Sequence, residues 1–125
     1  MKNQEFIEQL NQVQDLMNKE RYKDALILLE KLKMLEKTED FDYSLAHRLY
    51  QLDSNTQSLY NQQIILNNLQ KVSKKRKSIS FDELNKIIKE KNDLDLSNDI
   101  LRREIELLIL RNFLDCKIER DKIII

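Results

Sequence analysis

The chain has neither glycine nor proline in its 125 residues. At average usage a chain of this length would carry about nine of the first and about six of the second. Both residues interrupt helices, glycine through backbone entropy and proline through its ring and missing N–H. Their joint absence points to long, uninterrupted helices. It also removes whole classes of chemistry. A phosphate-cradling P-loop, a dinucleotide GxGxxG turn and a GxSxG nucleophile elbow each need a glycine where a side chain would clash. None of the three can be built here.

With 41% hydrophobic and 35% charged residues, the chain suits amphipathic helices with thin cores and broad solvated faces. It is too apolar and too periodic for disorder. Cys116 is the only cysteine and His47 the only histidine. They allow no intramolecular disulfide and no zinc site of the usual N/S kind, so neither metal nor cofactor is expected. A reducing, cytoplasmic setting is the simplest expectation. The polar start, Met1 to Glu5, is unlike a signal peptide. The longest purely apolar run, Ala25 to Leu29, is far too short for a membrane span.

Residues 3–18 repeat Phe6, Leu10, Val13 and Met17 at helical spacing, and residues 20–37 carry a wider stripe from Tyr22 to Leu35. A short joint near Asn18 makes them an antiparallel pair. Phe41, Leu45, Leu49 and Leu52 begin another stripe, and Leu59 to Val72 a further one. Ser54 and Gln57 have capping-box spacing between the two, so residues 40–72 read as one helix or two. The expected organisation is a helical bundle over 1–72, a basic linker or helix end over 73–77, and a second unit over 78–125.

In that second unit Ser80-Phe81-Asp82-Glu83 is a capping box, with Ile79 and Leu84 placed as a hydrophobic staple. A helix over about 81–91, a connection anchored by Leu94 and Leu96, and a helix over about 98–111 capped by Ser97 follow. Leu101, Ile105, Leu108 and Ile109 face inward on the last of these, and Asn112 supplies its left-handed stop. The tail from Cys116 to Ile125 alternates around a polar centre. A two-residue turn at Arg120-Asp121 pairs Glu119 with Lys122, Ile118 with Ile123 and Cys116 with Ile125. The fold class is therefore mainly α: an N-terminal helical bundle, then a C-terminal winged helix with a two-stranded β-hairpin.

The stretch Glu104 to Glu119 (EIELLILRNFLDCKIE) resembles the end of a PCI domain. In that family a helix ends in an apolar pair and a glycine, then a strand ends in Ile-Asp; here Asn112 stands for the glycine and Glu119 for the aspartate. The order is also similar to the winged helix that ends DDRGK-type ligase adaptors. The likeness covers about residues 78–125. It implies a non-enzymatic scaffold or adaptor that works through protein–protein interaction, with another protein chain or a second copy as partner, and no membrane or small-molecule substrate.

Two surfaces compete for a functional role. On the hairpin, Ile124 is the one apolar residue on a face shared with Lys117 and Lys122, and the last strand reads as an unpaired edge open to another chain. The alternative is nucleic acid. Residues 1–70 carry 8 Lys/Arg against 11 Asp/Glu, and residues 71–125 carry 14 against 11. The basic residues concentrate in Lys71, Lys74, Lys75, Arg76 and Lys77, which could neutralise phosphates. Arg102 and Arg103 lie where a helix-turn-helix protein contacts bases, but Asp99, Glu104 and Glu106 crowd the same helix. A solvated helix end, where cations suit the dipole, followed by an exposed linker is the favoured reading of the basic run. Cys116 falls on the inward hairpin face as a structural thiol, and His47 on a polar face.

Overall fold

The computed structural model describes residues 3–125. Apolar residues three and four apart form the first two helices, α1 (Asn3–Asn18) and α2 (Tyr22–Thr38). Between them Glu20 holds a left-handed backbone, φ 59°. The Arg21 N–H reaches back to the Leu16 carbonyl and the Glu20 N–H to that of Met17, a stop that helices usually make with glycine. A third helix, α3 (Tyr43–Ser73), runs 31 residues without a break, so the ambiguity over residues 40–72 resolves to one helix.

The chain divides into two units inside α3, Met1–Tyr60 and Asn61–Ile125. Residues 61–72, grouped with the helical bundle by their stripe, pack with the C-terminal unit instead. The buried positions explain why the stripe misleads. Leu45, Leu49, Leu52 and Thr56 are buried in the first half of α3, and Asn61, Ile64, Ile65, Asn68 and Leu69 in the second. At 100° per residue the two series are out of phase by about half a turn.

In the N-terminal unit Phe6, Leu10 and Val13 of α1 pack with Ala25, Leu29 and Leu32 of α2 and Leu45, Leu49 and Leu52 of α3. Phe41 stacks on Phe6 with ring centroids 4.3 Å apart. Lys33 of α2 bridges Glu30 at 3.0 Å and Asp53 of α3 at 3.2 Å.

The C-terminal unit adds a short strand, β1 (Ser78–Ser80), then α4 (Phe81–Asn92), α5 (Asn98–Leu110), β2 (Lys117–Glu119) and β3 (Lys122–Ile124). The molecule is mainly α with a small C-terminal sheet. The hairpin has the expected register: Glu119 faces Lys122, Ile118 faces Ile123 and Lys117 faces Ile124. Arg120 in its turn has φ 56°. The sheet has a third strand that residue pattern alone did not predict, because β1 is three residues long and pairs with β3 far along the chain. The strand order is β1-β3-β2, antiparallel throughout.

Local signals fix the two helices. The Ser80 hydroxyl accepts the Glu83 N–H at 3.1 Å, and Glu83 reaches back to the Ser80 N–H. The Ser97 hydroxyl accepts the Ile100 N–H at 3.1 Å. Asn112, φ 62°, ends α5 with the Phe113 N–H bonded to the Leu108 carbonyl. Ile79, Leu84, Ile88, Leu101, Ile105, Leu108 and Ile123 are buried.

Candidate functional site

The basic run straddles the exit of α3. Lys71 lies in its last turn, and Lys74 to Lys77 lead into β1. All of them are exposed. Val72, Ile79 and Ile87 line a cleft of about 430 Å³ whose rim carries Lys71, Lys74, Lys75, Arg76 and Lys91. Arg76 is already paired with Glu83 at 2.6 Å. The Arg76 guanidinium, helped by the Ser80 backbone N–H and hydroxyl, holds the Glu83 carboxyl down at about 2. Lys71, Lys74, Lys75 and Lys91 make no ion pair among the described residues.

Arg102 makes two contacts inside the C-terminal unit. Its guanidinium lies 4.8 Å from the Phe81 ring centroid and donates to the Arg120 carbonyl in the hairpin turn. It thereby ties α5 to the hairpin. Arg103 is exposed, with its Nε 3.4 Å from Glu104. Glu104 is not one of the carboxylates crowding the outside of α5, as its sequence neighbours suggest: it is fully buried, on the same helix face as Leu101, Ile105 and Leu108. Asp99 and Glu106 are the exposed ones.

On the hairpin, Lys117 and Lys122 are exposed and Ile124 is half-buried. The expectation that β3 is an unpaired edge is overturned. β3 is the central strand, with Ile124 between Ser78 and Lys117. Its neighbour β2 is a free edge instead. The error follows from the missed β1: with only two strands in view, either could be an edge.

A feature that residue spacing missed lies beside β2. Leu107, Leu110 and Phe113 are exposed, Leu110 at 78% and Phe113 at 56%. Ile109, Leu110, Cys116 and Ile118 line an open groove of about 710 Å³ edged by Glu106, Lys117 and Glu119. The signal was present in Leu107-Leu108-Ile109-Leu110, four apolar residues in a row. No helix buries all sides of such a run against one neighbour. Burial, and next the Asp115 charge, push the Cys116 thiol up from its ordinary value, away from nucleophilic use at neutral pH. His47 is exposed and lies 6.5 Å from the Tyr43 ring.

Among the described residues no group of histidine, cysteine and carboxylate side chains could hold a metal ion. No helix there is long and apolar enough to cross a membrane. Comparison of the chain with protein-family models, curated proteins and solved structures finds no match.

Proposed function

We propose that the chain is a non-enzymatic adaptor that docks another protein chain through its C-terminal unit, read as a PCI-like winged helix. The order of elements supports the reading. The end of α3, β1, α4, α5 and the β2–β3 hairpin follow one another as a winged helix requires, with the strand order β1-β3-β2.

The observation that carries it is the outward face of α5. In a DNA-reading winged helix this face enters the major groove. Here it presents two carboxylates, Asp99 and Glu106, against one cation, Arg103, together with Leu107 and Leu110, while Arg102 turns back to the hairpin. Carboxylates repel phosphate, and exposed leucines gain only from an apolar partner. Leu110→Asp, at a solvated position, should leave the melting temperature unchanged and abolish capture of the partner from cell extract. A strict monomer that captures none, or a capture that ignores this substitution, would defeat the reading.

Nucleic acid is the second reading, and one observation favours it: the unpaired lysines around the cleft at Val72, Ile79 and Ile87. It requires duplex DNA binding that falls steeply with salt and weakens when Lys74, Lys75, Arg76 and Lys77 become glutamine. Absence of binding at low salt ends it.

A further inference from the structure

The free edge of β2 has a defined hydrogen-bonding phase. The Phe81 N–H bonds the Asp121 carbonyl at 3.0 Å, and the Ile125 N–H bonds that of Lys77 at 2.8 Å. Ile79 lies opposite Ile123, midway between these contacts. Residues 121, 123 and 125 therefore turn their backbone groups toward β1, and Lys122 and Ile124 toward β2. On β2, Glu119 and Lys117 answer them. Ile118 is left with its N–H and C=O aimed outward from the sheet.

We infer that a second copy of this chain pairs with β2, antiparallel and two-fold symmetric about Ile118. This names the partner of the face described above and so rests on the adaptor reading. In that register Ile118 and the partner's Ile118 exchange two N–H···O=C bonds. Lys117 falls opposite the partner's Glu119, and Glu119 opposite the partner's Lys117. Charges on an edge strand ordinarily discourage pairing. A lysine and a glutamate equally spaced about the centre do the reverse, because a two-fold axis always sets one against the other.

Both faces of the enlarged sheet stay consistent. On one face the register already sets Glu119 against Lys122, and the partner's Lys117 extends the row with alternating sign. On the other, Ile79, Ile123 and Ile118 form one cross-strand row. It continues into the same three residues of the second copy. Ile79 and Ile123 are buried, whereas Ile118 is still half-exposed at the open end of the row. The apolar groove with Leu110 flanks that same edge.

Light scattering of the full chain from about 10 μM to about 1 mM should show a reversible dimer. Lys117→Glu sets glutamate against glutamate at both ends of the pairing, and Glu119→Lys sets lysine against lysine. Each should weaken the dimer about tenfold or more. Mixed one to one, the two variants should form a heterodimer, because each position again joins a lysine to a glutamate. Damage to the fold by either substitution cannot produce that rescue. A strict monomer at about 1 mM, a dimer indifferent to both reversals, or a mixture that stays monomeric would each overturn the pairing. A monomer that still captures another protein through Leu110 would overturn the pairing alone and leave the adaptor reading standing.

Discussion

α2 and α4 begin differently. α2 starts after Arg21, which makes no side-chain capping bond, and α4 starts on Ser80 with both halves of a capping box. The contrast extends to the units they belong to. In the N-terminal unit nine buried side chains from three helices define the packing. Its polar contacts between elements, such as Arg48 to Asn11 and Tyr50 to Glu36, are mostly exposed and contribute little. In the C-terminal unit, serine caps, an asparagine stop and a strand ladder fix where each element begins and ends. Where a side-chain cap is missing, as at the start of α2, burial alone leaves a helix limit indefinite; where it is present, as at Ser80, local hydrogen bonds set the element to the residue.

The largest test of this contrast is Phe6→Ala. It removes a fully buried ring stacked on Phe41 and should cost about 3–5 kcal/mol in urea unfolding. Ser80→Ala comes next, at about 1 kcal/mol, through loss of the cap. A capping loss as large as the core loss would erase the distinction. Arg120→Gly should stabilise by about 0.5–1 kcal/mol, because a non-glycine residue at φ 56° is strained. Asn112→Gly should give less, since asparagine tolerates that conformation. The smallest effect is on pH. Glu83 is held at about 2, below its ordinary 4.5. Its contribution is complete above the ordinary value and is lost as pH falls from about 4.5 to about 2. Glu83→Gln should flatten the melting temperature over that range; an unchanged acid limb would show that the Arg76 pair does not contribute.

Much of the fold was legible where a signal is local. The limits of α1, the capping box, the Asn112 stop and the hairpin register all follow from neighbours within a few positions. What escaped depends on distant partners. β1 is three residues whose strand character comes from β3. The continuity of α3 was hidden because its buried face changes phase near Thr56. The candidate site was less legible for the same reason. Lys117 does border the groove, but Leu110 became visible only once α5 had turned Leu101, Ile105 and Leu108 inward. Arg102 looked free until the hairpin turn supplied its acceptor.

The central position of β3 also sets an order of events during folding. The β2–β3 hairpin closes over a two-residue turn and can form within microseconds. β1 has no such shortcut: Ile79 must find Ile123, 44 positions further along the chain. Two helices lie between them, and their loop must close before that contact gives any return. The sheet is therefore completed by capture, with an assembled hairpin receiving a strand made long before it. Until then the hairpin has two exposed edges, the outer one of β2 and the side of β3 that β1 will cover, so the interval before β1 arrives is when this unit is most open to wrong pairing with another chain.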